Sequence, residues 1–296
     1  MGAMAAAGDG IAQTVLSRHD LLELGYQPKQ ITRDVRAGVL IRLRRDHYVV
    51  RGAHESVARA VRVGGRLTCI SAIALASPEV FVLREDRIHV QVHRRSSRLR
   101  MPDDQRVRWL RTEAHDIRLH WSEVFDDFPH TSTVSLAAAV REMARCLPGR
   151  EVVATVDSLL HLGVMTMEQI REAFAGLPSR CVALLEQVDP RAESGPETFM
   201  RLLLRDLGAC FDLQVVISGV GRVDFLVDGF LIIECDSRAH HEGWAKQRDD
   251  RRRDLATAQR GYVTLRVLAE DLFYTPERVM PAVRNLLAAR SAWGGR

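Results

Sequence analysis

Long apolar runs are missing from this 296-residue chain. Nothing approaches the ~18 consecutive apolar residues of a membrane span, and even Ile70 to Ala76 is short and carries a serine. No Lys or Arg precedes Arg18, so the Ala-rich start lacks the basic region of a secretory signal, and the expected location is cytoplasmic with no membrane partner. Paired cysteine motifs are also missing. Cys69, Cys146, Cys181, Cys210 and Cys235 are odd in number, widely spaced and form no CxxC, which argues against a disulfide framework and against structural zinc. They read as buried apolar positions in a reducing compartment. Lysine is nearly absent, with arginine supplying almost all of the 42 basic residues. The bidentate guanidinium suits phosphate, although a GC-rich genome produces the same bias.

What is present is a globular composition, 46% hydrophobic and 27% charged. At roughly 150 residues per domain the length suggests two domains or three small ones. The formal charge of +4 is uneven. Residues 29–45 hold Lys29, Arg33, Arg36, Arg42, Arg44 and Arg45 against Asp34 alone, and residues 238–266 are a second basic stretch. Two basic patches on a near-neutral body point to polyanion contacts.

Near the N-terminus Ser17 is placed to cap a helix through Leu24, Pro28 opens a second helix to about Ala37, and Gly38 stops it. Val39, Ile41 and Leu43 then alternate, a charged turn follows, and Tyr48 to Val50 return as a strand. Helix, turn, helix and basic hairpin is the layout of a winged helix-turn-helix. In that layout Lys29, Arg33 and Arg36 face the major groove while Arg44 and Arg45 reach phosphate. With Gly38, Leu40 and Tyr48, the segment resembles the N-terminal domain of the antitoxin of abortive-infection type IV toxin-antitoxin pairs. A basic solvated face on a protein-binding module is the plainer alternative.

The middle of the chain says less. A helix is expected at Thr68 to Ala76, with strands at Ile88 to Val92, Val107 to Leu110 and Ile117 to Trp121, and helical periodicity from Thr131 onward. His89 and His93 have an HxxxH spacing, but the flanking Ile88, Val90 and Val92 indicate a strand. Their rings then stand roughly 13 Å apart and cannot share one ion.

The chemistry concentrates between Val223 and His241. Two apolar runs flank Asp228-Gly229, a hairpin signal, and the second ends in Glu234 and Asp236, whose spacing of two puts them on one face. A two-residue turn at Asp228-Gly229 turns Asp224 away from Glu234. A three-residue turn from Val227 to Gly229 gathers all three carboxylates. Such a cluster needs a cation, and hard oxygen donors favour Mg²⁺ or Mn²⁺.

The pattern Asp224, then Glu234-Cys235-Asp236-Ser237, then His240-His241 resembles the PD-(D/E)XK nuclease core, and more closely the small domains related to very-short-patch repair endonucleases. The similarity continues through Asp250 to Asp254, Gly261-Tyr262 and Glu270-Asp271-Leu272, and upstream through a helix carrying Glu197. It departs from the family at two places: Asp236 stands where the wider superfamily has lysine, and Ser237 where glycine is usual.

The resemblance implies a DNA endonuclease of DNA-repair type. Asp224, Glu234 and Asp236 are then metal ligands, His241 a general acid or base, Glu197 a further acid, and Arg251 and Arg253 grips on the DNA backbone. Glu197 also lies three after Ser194, a capping-box spacing. The expected architecture is multi-domain α/β: a winged helix over 11–55, a mixed α+β region over 56–190, and a restriction-endonuclease-like mixed sheet flanked by helices over 191–290. The alternative function is a DNA-binding regulator or antitoxin whose nuclease-like domain is inactive.

Overall fold

The structure is a computed structural model that describes residues 15–83, 85–113, 116–123, 132–236 and 244–293. The chain is a multi-domain α/β protein with two compact units, Met1–Glu79 with Leu83–Cys146, and Val80–Val82 with Leu147–Arg296. Among the described residues no helix is long and apolar enough to cross a membrane.

The first unit opens with α1 (Arg18–Glu23), α2 (Pro28–Arg36) and an antiparallel hairpin of β1 (Leu40–Arg44) and β2 (His47–Val50). Ser17 caps α1 through a reciprocal box with Asp20, and Gly38 follows the C-cap Ala37 of α2 at φ +70°. Leu21, Ile31, Leu40, Tyr48 and Val50 form the core here. The hairpin alternation differs from expectation. Leu40 and Leu43 are buried while Val39 and Ile41 are exposed, because a bulge between Arg42 and Arg44 shifts the register.

The unit continues through α3 (Glu55–Val63), β3 (Arg66–Leu67), α4 (Cys69–Ala76), β4 (Ile88–His93), β5 (Ile117–Ser122) and α5 (Leu136–Cys146). The sheet order is β3-β4-β5, with β4 and β5 parallel. The strand expected at Val107 to Leu110 does not form. That segment makes a single bridge, Arg100 to Arg108, and Val107 and Leu110 stay exposed, so burial does not reward a ladder there.

The second unit contains α6 (Gly149–His161), α7 (Met167–Phe174), α8 (Ser179–Val182), α9 (Gly195–Asp206), β6 (Phe211–Ile217), β7 (Gly221–Val227), β8 (Leu231–Asp236), α10 (Trp244–Gln259), β9 (Val263–Leu268), α11 (Ala269–Tyr274) and α12 (Pro276–Trp293). Its mixed sheet runs β6-β7-β8-β9, antiparallel except for the parallel pair β8 and β9. Leu231, Ile232 and Ile233 are fully buried, as befits a central strand covered on both faces. Every residue of α9 from Gly195 to Leu204 is buried. Its Arg201 pairs with Asp157 of α6 at 2.7 Å, both almost completely enclosed, with Thr198 Oγ1 donating to the same carboxylate oxygen at 2.8 Å. A buried charge pair of this kind fixes the helix-helix register and tolerates no loss of either partner.

Candidate functional site

Apolar burial along β8 stops at Glu234, and the carboxylates begin there. The turn from β7 comprises three residues, 228–230, since Val227 pairs with Leu231. Asp228 and Gly229 take left-handed φ values of +48° and +69°, and the Phe230 amide donates to the Val227 carbonyl at 3.1 Å. The turn length is odd, one residue later than the loop considered from sequence, and its register runs Asp224 toward Glu234. The paired ladder ends at Phe225 and Ile233. Beyond it, the Cys235 amide donates to Asp224 Oδ2 at 2.8 Å, tying the first acid to the strand that carries the other two.

The β6 side is also specialised. Leu213 pairs with Phe225 and Val215 with Val223, so Gln214 falls opposite Asp224, at a strained φ of +53°. Its Nε2 donates to Glu197 Oε2 at 2.8 Å. Glu197, 6% exposed, also accepts from the Glu193 amide at 2.9 Å and from Ser194 Oγ at 2.7 Å. Ser194 Oγ caps the helix by accepting from the Glu197 amide at 3.4 Å, but the amide on the Glu197 carboxylate is that of Glu193 and not of Ser194, so the box is not reciprocal, and Glu197 lies close enough to Asp224 for the two charges to oppose each other.

The electrostatics describe one cluster. Burial, then the Asp224 charge, lift the Glu234 carboxyl to about 7, outweighing Arg253 and Arg266. Burial also raises Asp224, with Asp236 adding to the shift and the Cys235 amide and Arg253 opposing it. The Cys235 thiol is pushed well up by burial and by the charges of Asp224, Glu197, Glu234 and Asp236. All the donors are oxygens, the kind a hard divalent cation takes, and the charges of Asp224 and Asp236 bear on Glu234, but the carboxylates do not all come within 4.8 Å of one another. Arg253 of α10 supplies partial neutralisation, with Nη2 2.8 Å from Glu234 Oε1, and it also donates to the Arg222 carbonyl. Arg251 is exposed on the same helix. His241 and the neighbouring His240 lie outside the described residues.

In the first unit Lys29, Arg33 and Arg36 lie on the exposed side of α2 at spacings of four and three, opposite buried Ile31. Arg33 Nε is 3.3 Å from Asp34. Arg45 is exposed in the hairpin turn. Arg44 lies partly folded back: its Nη2 donates to the Arg98 carbonyl at 3.0 Å, and its guanidinium lies where a side chain on Gly64 would stand. Burial and then Arg100 lower its pKa.

A second constellation escaped the sequence reading. Cys69, His89, His120 and Cys146 each offer a ligand atom, all within 4.8 Å of one another, and together can coordinate a metal ion. Their separations along the chain match no short motif. The signal that identifies them is the parallel pairing of β4 with β5, which sets His89 opposite Arg118 and brings His120, two residues on, to the same face. The HxxxH partner His93 takes no part. Compared with known proteins, the chain matches no family model and no curated sequence.

Proposed function

We propose that the chain is a Mg²⁺- or Mn²⁺-dependent DNA endonuclease, with the carboxylates of β7 and β8 as its hydrolytic centre and α2 as a DNA-binding element. The observation that carries the reading is the register that sets Asp224, in the middle of β7, opposite Glu234, with Asp236 two residues further along the same face of β8 and the first acid tied there by the Cys235 amide. The order of helix, three antiparallel strands, helix and parallel strand is compatible with the PD-(D/E)XK resemblance.

Asp224 and Glu234 would hold the cation, with Asp236 completing the set. When bound, such an ion polarises a phosphodiester and lowers the pKa of its water. The chain's own groups set the conditions. The Cys235 amide and Gln214, through Glu197, fix the carboxylate positions. Arg253 is 30% exposed at its side chain and sits over Glu234, placed to meet a phosphate oxygen once a cation takes over the carboxylate. Lys29, Arg33, Arg36 and Arg45 would contact the DNA backbone and grooves in the winged-helix manner, and Arg251 would add a backbone contact. His241 is proposed as the proton-transfer group.

The Arg253–Glu234 ion pair favours a second reading. A site whose Glu234 is already paired with its own arginine suits a regulator or antitoxin that grips DNA without cutting it. One assay separates the two readings: labelled duplex, mismatched, branched and single-stranded DNA incubated with Mg²⁺ or Mn²⁺ and with wild type or Asp224→Asn. The endonuclease reading expects cation-dependent nicking reduced at least about 100-fold in the variant. Binding without any nicking by wild type supports the regulator.

A further inference from the structure

We infer that Cys69, His89, His120 and Cys146 form a closed structural Zn²⁺ site in the first unit, independent of the carboxylate centre, fastening α4 and α5 to the β4–β5 pair. Each ligand comes from a different element. Cys69 is the first residue of α4, His89 and His120 stand on the parallel strands, and Cys146 is the last residue of α5. Cys69 and His89 are completely buried, and His120 is 9% exposed.

The distances suit a tetrahedral ion. His89 Nδ1 and His120 Nε2 are 3.0 Å apart, and each lies 3.9 Å from Cys146 Sγ. Bonds of about 2.0–2.1 Å to nitrogen and about 2.3 Å to sulfur give ligand separations of about 3.3 Å and about 3.6 Å, close to those seen.

The hydrogen-bonding roles point to a cation as well. His89 Nε2 lies 3.0 Å from Glu85 Oε2, and His120 Nδ1 lies 3.2 Å from Glu142 Oε2. Each carboxylate accepts the ring N–H beside it, so the lone pairs of His89 Nδ1 and His120 Nε2 confront each other across 3.0 Å. That confrontation is relieved either by an extra proton on one ring, giving an N–H···N bond, or by a metal ion between the rings and the sulfurs. Carboxylates behind the ligating imidazoles are the usual second layer of a zinc site, fixing tautomer and ring orientation. Cys69 is held at a left-handed φ of +53°, which a β-carbon disfavours, in a position that aims its sulfur at the other three ligands.

The chemistry selects the metal and its role. Two thiolates and two imidazoles select zinc over Mg²⁺ or Mn²⁺, which prefer oxygen. Four protein ligands leave no open position for water or substrate, so the site is structural.

The test is elemental analysis of the full-length chain purified without chelator. About one zinc per chain is expected, retained in Asp224→Asn and Glu234→Gln, which separates this site from the proposed hydrolytic one. Cys146→Ser should lose the metal. Glu142→Gln, which keeps all four ligands, should weaken zinc retention about 10- to 100-fold in chelator competition. Cobalt exchanged into the wild type should show the visible bands of tetrahedral coordination with thiolate charge transfer. A wild-type chain that folds without zinc and gives no such cobalt spectrum would overturn the assignment, as would a Cys69–Cys146 disulfide found by mass or zinc lost with the Asp224 or Glu234 substitutions.

Discussion

At the scale of single residues, the account depends on charges placed where burial disfavours them. The native Glu234 carboxyl, lifted to about 7 from an ordinary 4.5, binds a proton more readily than the unfolded chain between those values. Without added divalent cation, stability therefore falls as pH rises from about 4.5 to about 7 and levels off above that. The full shift corresponds to about 3 kcal/mol. Glu234→Gln should reduce this slope without abolishing it, since buried Asp157, raised to about 6, adds a slope of the same sign, a comparison made by urea unfolding at pH 5 and pH 8. If the variant keeps the wild-type slope, the carboxyl is not desolvated as described. Asp157→Ala belongs to the same scale: it leaves Arg201 buried without its counter-charge and should cost about 3–5 kcal/mol in denaturant unfolding.

At the scale of elements, the turn from β7 to β8 decides whether the acids meet. Gly229 at φ +69° has open space around its α-carbon, so a side chain there meets backbone strain without a clash. Gly229→Val should lower stability by about 1–2 kcal/mol, read from thermal melts, and leave the register intact. Deleting one turn residue should turn Asp224 from the shared face and abolish cation binding with it. Much of this level was legible in the sequence, since strand and helix periods and caps are local signals. Ser17, Pro28 and Gly38 mark α1 and α2, and the alternation around Asp228-Gly229 marks the hairpin. The parity of the turn was not legible, because Phe230 is apolar enough for either strand or turn. The bulge that buries Leu40 and Leu43 and the bond from Arg44 to the Arg98 carbonyl depend on non-local packing. So does the Cys69, His89, His120 and Cys146 cluster, whose members meet only once β4 pairs with β5. Helix α2 gives a further prediction. Replacing Lys29, Arg33 and Arg36 together by alanine should weaken binding to a preferred DNA sequence more than to random DNA, since these side chains are placed toward the major groove, measured by titration at several salt concentrations.

At the scale of the whole molecule, a basic helix-hairpin segment belongs to one unit and a carboxylate cluster to the other. On the proposed reading the uneven charge of the sequence has a physical meaning: exposed arginines would contact a polyanion, and the half-buried carboxylates would hold a cation that makes hydrolysis feasible. The claim on which this division of labour rests is that Asp224, Glu234 and Asp236 hold a divalent ion. Its most direct test is Mn²⁺ titration of the full chain followed by electron paramagnetic resonance, at pH 6 and pH 8, for wild type and Glu234→Gln. The account predicts that wild type binds Mn²⁺ more tightly at pH 8 than at pH 6, because a proton on Glu234 competes with the ion, and that the variant binds weakly at both. Equal binding by the two proteins at pH 8, or none by wild type, would contradict it.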